Sequence, residues 1–208
     1  MKRYAWIGLW LGMTLPGSMA HADDWQSAQD LMDANEFTAA AEIYKRMDET
    51  NDLRATNILA IMYSRGTGVE RDIDKALEYA LKIDKAESTA HTQGFISLLY
   101  MMHTPADAPA SYAWLKKATS TQVIPGLFFR LARYYEGGVG TSADPERAYV
   151  WYLMSMKPEE VNGDRYLSQK RMTQMKIGEL RSALTEEKAK AASSLAQTCY
   201  ESRTEACY

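Results

Sequence analysis

Two histidines past residue 22, His91 and His103, are the first places to look for chemistry. Ser97 follows His91 by six residues, but acyl transfer needs a third group to orient the imidazole and a signature around the nucleophile. Neither Ser97 nor Ser168 has such a signature. Adjacent carboxylates occur at Glu159-Glu160 and Glu186-Glu187. Neighbours in sequence point to different sides of a helix, so neither pair reads as an acid/base dyad. Gly137-Gly138-Val139-Gly140 superficially resembles a nucleotide loop. A dinucleotide fingerprint needs a preceding strand and a third glycine, and a Walker loop needs Gly-Lys-Ser/Thr. These residue types therefore point to no enzyme, no cofactor and no metal.

Cys199 and Cys207 are the two cysteines, both in the last ten residues. Eight residues along a continuous helix would set them about 12 Å apart, whereas a disulfide needs Cα atoms within about 7 Å. A disulfide is expected in an oxidising compartment, with the last helix ending near Cys199 and the tail folding back. C-x7-C is not the C-x-x-C of a redox catalyst, and two cysteines without nearby histidines make a poor metal site.

The elements that position these residues follow from an internal repeat. Leu59, Ala60, Tyr63, Gly66, Gly68, Asp72 and Ala76 recur as Leu131, Ala132, Tyr135, Gly138, Gly140, Asp144 and Ala148, at an offset of 72 throughout. A decayed copy is expected between them, with Tyr100 for the tyrosine and Ala113 for the alanine, and a first copy reaches back to Ala40. The unit is therefore about 36 residues and reads as two helices. Ile73, Ala76, Leu77, Ala80 and Leu81 fall at amphipathic helical spacing. Asp72 and Asp144 stand where an N-cap accepts from unpaired backbone N–H groups, and Pro145 follows at the first helical position. The glycines permit the positive φ angles of a tight inter-helix turn. A small residue at 76 and 148 lets the paired helices approach. Nothing alternates like a strand for long.

The middle copy carries His103 and Pro105 in place of the glycines and Pro109 opposite Asp72. Asp107 is the expected cap, reached through a slightly longer, proline-stiffened loop. Lys157-Pro158 ends a helix and Asn162-Gly163-Asp164 marks a turn. Two further helices are expected over residues 166–184 and 186–198, the second capped by Thr185 with Glu186 and Glu187 at its positive end. These would close the array, because the end of a stack must cover its exposed core.

Leu59, Tyr63, Gly66, Gly68, Val69, Asp72, Lys75, Ala76 and Tyr79 resemble the Sel1-like repeat family, relatives of the tetratricopeptide repeats. Leu131, Tyr135, Gly138, Gly140, Asp144, Ala148 and Trp151 do so nearly as well, with Thr141 in place of valine. The resemblance implies an all-α fold, a right-handed α-solenoid of about four helix-turn-helix repeats with a C-terminal capping pair. It also implies a non-enzymatic adaptor whose superhelical groove holds another protein. Exported bacterial members include envelope regulators, host-interaction factors and immunity proteins that neutralise secreted toxins such as type VI secretion effectors.

The start of the chain reads as an export signal. Lys2 and Arg3 precede an apolar stretch at 4–15, Pro16-Gly17 breaks it, and Ala20-His21-Ala22 gives a small-x-small cleavage pattern. A membrane anchor would need about 18 apolar residues. The expected organisation is a cleaved signal at 1–22, helical repeats at 23–156 and a helical cap at 157–208, in the periplasm. Losing Lys2 and Arg3 from 24 basic against 27 acidic residues leaves a net charge of −5. No basic stripe exists to neutralise phosphates, which argues against nucleic acid. Residues 23–52 carry nine acidic side chains against Lys45 and Arg46, a solvated helix face or a surface that steers a basic partner.

A helical stack cannot bury all of the aromatic and methionine side chains, and exposed ones anchor protein partners. Tyr100, Met101, Met102, Tyr112, Trp114 and Tyr134 are the candidate partner-binding residues. Two uses are open: masking of a toxin effector, or adaptor and regulator of an envelope enzyme or signalling receptor. An enzyme acting on penicillin-type ligands or cell-wall fragments would need a serine or carboxylate cleft that the sequence does not display.

Overall fold

The computed structural model describes residues 17–156 and 164–202 together with Cys207. Lys2, Arg3, the apolar stretch at 4–15, Lys157-Pro158, Glu159-Glu160 and Asn162-Gly163 lie outside the described residues. Among those residues the chain forms ten α-helices: α1 (Gly17–Asp33), α2 (Phe37–Glu49), α3 (Leu53–Arg65), α4 (Ile73–Ala86), α5 (Ala90–Met102), α6 (Ala108–Thr121), α7 (Pro125–Gly137), α8 (Pro145–Met156), α9 (Asp164–Ala183) and α10 (Glu186–Ser202). No described helix is long and apolar enough to cross a membrane.

Helices pack in sequence order as α1–α2, α3–α4, α5–α6 and α7–α8, and each pair leans on the next through α2–α3, α4–α5 and α6–α7. Both α9 and α10 pack on α8. The result is an all-α repeat stack. Two apolar clusters fill it, one centred on Tyr44, Leu59, Ile96 and Leu99, the other on Phe128, Leu131, Trp151 and Tyr152. They meet at the α5–α6 pair, where Tyr100 and Trp114 pack on the first cluster and Met101 and Tyr112 on the second.

The turn chemistry repeats with the sequence. Gly66 and Gly138 end α3 and α7 in the left-handed region, with φ of 73° and 64°, which costs a β-carbon-bearing residue about 1–2 kcal/mol. Nine residues after the tyrosine, the Asp72 N–H donates to Tyr63 O at 3.0 Å and the Asp144 N–H to Tyr135 O at 2.8 Å. Each aspartate then caps its helix, Asp72 Oδ1 accepting from the Lys75 N–H at 3.0 Å and Asp144 Oδ1 from the Arg147 N–H at 2.9 Å.

The middle pair corrects two expectations. Asp107 caps α6, accepting from the Ala110 N–H at 2.9 Å, and its own N–H donates to Tyr100 O at 3.0 Å. It therefore stands seven residues after the tyrosine, so the loop is two residues shorter than in the glycine-bearing pairs, not longer. The small inward position four residues past the cap is consequently Ser111, fully buried like Ala40, Ala76 and Ala148. Ala113, the expected equivalent, is exposed. A serine fits there because its hydroxyl is satisfied: Ser111 Oγ donates to Ser97 O at 2.6 Å and lies 2.8 Å from the Tyr134 hydroxyl.

The second glycine of each turn has a further reason. A β-carbon on Gly68 would lie 2.3 Å from Phe37 O, and one on Gly140 would lie 2.1 Å from Ala108 O. Phe37 and Ala108 are the first residues of α2 and α6. Each Gly-x-Gly turn thus presses its bare backbone onto the start of the second helix in the preceding pair.

At the C-terminus, α10 runs three residues beyond Cys199 to Ser202, and Cys199 is bonded to the buried Cys207 across a Cα–Cα distance of 5.6 Å. Thr185 caps α10 through the Lys188 N–H at 3.3 Å.

Candidate functional site

A hollow lies between α3 and α5, with the end of α4 behind it. It is an open groove of about 700 Å³. Asn57, Ile61 and Ser64 reach it from α3, and His91, Phe95, Leu98 and Met102 from α5. Those positions are three and four residues apart, so one face of each helix builds the groove. The core stripe of α5 is different: Gln93, Ile96, Ser97 and Leu99 are buried. The helix is therefore apolar on two faces, and the second is only partly consumed by packing, Phe95 lying half-buried against the first core. Leu98 remains 42% exposed.

The rim is charged. Arg54 is held by Asp52, Nη2 to Oδ2 at 2.6 Å, and its guanidinium lies 4.6 Å from the centre of the Trp25 ring. The hydrogen bonds from Arg54 outweigh burial and hold the Asp52 carboxyl below the usual carboxylate range. Arg65 and Glu87 are exposed at the groove edge. Part of the acidic N-terminal run is taken up by the fold, since Asp52 caps α3 and Asp48 accepts from Lys82 of α4 at 2.7 Å.

The sequence candidates are dispersed. Met102 lines the groove. Trp114 lies against the first core beneath Lys117, whose ammonium is 4.4 Å from the ring centre. Tyr112 meets Tyr135 edge-on, with the two hydroxyls 2.8 Å apart. Tyr134 is a core residue, 8% exposed and bonded to Ser111, so it offers little to a partner. Tyr100 and Met101 are half-buried against opposite cores. Sequence reasoning missed Ile61, Phe95 and Leu98. The available signal was the Phe95, Leu98, Met102 spacing, a second apolar stripe on one helix.

The residues with catalytic types do not converge. Ser97 is fully buried, 3.0 Å from Ser111 Oγ, while His91 is exposed on the groove face. His103 sits in the α5–α6 turn, with Nε2 2.9 Å from Asp74 Oδ1 and Nδ1 3.1 Å from Pro105 O. Acceptors on both nitrogens favour the imidazolium and raise its pKa, the Pro105 carbonyl contributing most and Asp74 next. No group of three or more metal-ligating side chains occurs among the described residues.

A smaller hollow of about 340 Å³ lies where α7, α8 and α9 meet, among Phe129, Tyr152, Met172 and Met175. There the Tyr152 hydroxyl donates to Glu136 at 2.6 Å and Lys176 donates to the same carboxylate at 2.9 Å. Burial opposes ionisation of Glu136, but these two donors hold its pKa below the usual value.

The Sel1 repeat pattern matches residues 53–83, 100–120 and 129–155. Residues 53–155 carry a run of Sel1 repeats. The matched segments cover α3–α4, the end of α5 with α6 in the decayed middle copy, and most of α7–α8. Among solved structures, a Sel1 repeat protein from Oxalobacter formigenes superposes with a TM-score of 0.52 at 20% identity, over 71% of this chain and 59% of that one. The chain therefore spans about 59% of that protein's length. A protective antigen present in uropathogenic Escherichia coli strains, displaying an SLR fold, gives a TM-score of 0.40 at 17% identity, over 81% of this chain and 42% of that one. Likeness at these identities concerns the fold alone. No curated protein matches the sequence. Sel1 repeats generally mediate protein–protein interaction and are typically non-enzymatic scaffolds.

Proposed function

We propose that this chain is an exported, periplasmic protein-binding module that holds its partner in the α3–α5 groove, and that the partner is a secreted toxin which the chain masks. The observation that carries the binding reading is the second apolar face of α5, with Leu98 42% exposed beside Phe95 and Met102. Solvent-facing apolar side chains in a concave site are what a protein partner covers. The leader-like residues 1–22 support export, and the disulfide between Cys199 and Cys207 suits an oxidising compartment. The toxin reading draws on the known uses of exported members of the family. An adaptor for an envelope enzyme would use the same groove.

The test is titration calorimetry of the full-length chain, purified from the periplasm, against an exported toxin encoded beside it. Nanomolar affinity, lowered at least tenfold by Leu98→Asp, supports masking through the groove. A toxin that neither associates nor loses activity sinks the toxin reading. Unchanged affinity of the Leu98→Asp variant moves the interface elsewhere.

A further inference from the structure

Next to the groove, on the α7 side of α5, lies a guanidinium with no counter-charge. Arg130 donates from Nη2 to Gly94 O of α5 at 2.6 Å. Its Nε is buried and has no hydrogen-bond partner. No ion pair of Arg130 occurs among the described residues, and the group whose charge reaches it is the Tyr134 phenol rather than a carboxylate. Burial without an anion pushes its pKa down. A charge taken from water normally brings a partner with it, so this arrangement is costly in the free protein.

The place is also prepared in the backbone. Gly94 sits inside α5, where glycine is the poorest helix former after proline. A β-carbon there would lie 2.7 Å from Leu127 Cδ2 and 3.3 Å from Arg130 Nη2. The missing side chain is what allows α7 to lay Leu127 and Arg130 on the α5 backbone. Gly94 is one helical turn before Leu98, so Arg130 borders the exposed apolar edge of the groove. Arg130 as a residue is half-buried. The charge pattern agrees. The chain is net acidic, with a formal charge of −3, yet Arg65 and Arg130 stand by this face against Glu87, while Arg54 is already paired with Asp52.

We propose that Arg130 anchors a carboxylate of the protein partner, an aspartate or glutamate whose apolar neighbour packs on Leu98. This rests on the groove reading above and adds the chemistry of the occupant. The planar guanidinium is already fixed at one nitrogen by Gly94 O, so a carboxylate oxygen that meets its outer nitrogens finds them in a set orientation. Arg130 is then a specificity-determining residue, because a neutral partner side chain would leave its charge unanswered.

The test is an array of twelve-residue peptides, each carrying one glutamate beside a leucine or phenylalanine, with a matched array carrying glutamine. Each is probed with the full-length chain, with Arg130→Met and with Leu98→Asp. The wild type is expected to retain a subset of glutamate peptides at least tenfold more strongly than their glutamine counterparts. Arg130→Met is expected to fold with an unchanged or higher Tm and to bind both sets alike. Should the methionine variant fail to fold, Arg130→Lys replaces it, with a smaller but retained preference for glutamate. Equal retention of both sets by the wild type overturns the carboxylate anchor. If Leu98→Asp still abolishes that retention, the groove reading stands while the anchor falls. A glutamate preference that survives Arg130→Met, or no retained peptide at all, also overturns the proposal.

Discussion

The α3–α4 and α7–α8 pairs turn on Gly-x-Gly, and the α5–α6 pair between them turns without glycine, two residues sooner. All three nonetheless deliver a capping aspartate whose N–H bonds the tyrosine carbonyl within 2.8–3.0 Å, and a fully buried small residue four positions later. The turn itself is therefore not what needs the second glycine. Gly68 and Gly140 are needed because they touch the first turn of α2 and α6. In the short turn, His103 makes the corresponding contact with α4 by a side-chain bond to Asp74, one residue past that helix's start. One junction is steric and the other electrostatic.

Gly140→Ala is expected to have the largest effect, because the new β-carbon meets Ala108 O as well as a φ of 69°. Backbone strain of about 1–2 kcal/mol and the forced shift of α6 together give a loss of about 3 kcal/mol, read as a lower midpoint in urea. Gly138→Ala keeps the φ penalty but meets nothing closer than 3.2 Å, so it is expected to cost only about 1 kcal/mol. Equal losses would show that the two glycines do the same work.

Ser111→Ala comes next. It removes the partner of the buried Tyr134 hydroxyl, and an unsatisfied buried group costs about 1–2 kcal/mol. The loss should shrink in the Tyr134→Phe background without vanishing, because Ser97 also loses its bond from Ser111. Asp107→Ala and Asp144→Ala should each cost about 1 kcal/mol as lost caps. Their near-equality would show that the shortened loop keeps the capping device intact.

His103 gives the smallest and most diagnostic effect. Its folded pKa is raised above the ordinary 6.5, so its stabilisation is complete below that value and is lost as pH rises through the folded pKa. The Tm of the wild type relative to His103→Gln is expected to be highest near pH 5.5 and to decline above 6.5. A difference that does not change with pH would mean that the imidazolium contributes nothing to the junction.

These contrasts explain what could be read in advance. The 72-residue offset is visible because positive φ and helix capping admit few residue types, so Gly66, Gly68 and Asp72 mark the turn whatever the partner helices contain. In the middle unit the loss of two residues moved the register, and serine does not look like a core residue, so Ala113 was the natural but wrong equivalent of Ala76. The groove was illegible for another reason. In α5 the buried Ile96 and Leu99 and the groove-facing Phe95 and Leu98 are the same kind of residue, and composition cannot tell which stripe meets a neighbour. Arg130 looked like any surface arginine, because its burial depends on Gly94 in a helix 36 residues away.

Hydrogen–deuterium exchange on the full-length chain, free and bound to the exported toxin it is proposed to mask, tests the central claim most directly. Slower exchange confined to α3 and α5, with α9 and α10 unchanged, is the predicted result. Protection confined to α9 and α10, with α3 and α5 exchanging as in the free chain, would contradict it.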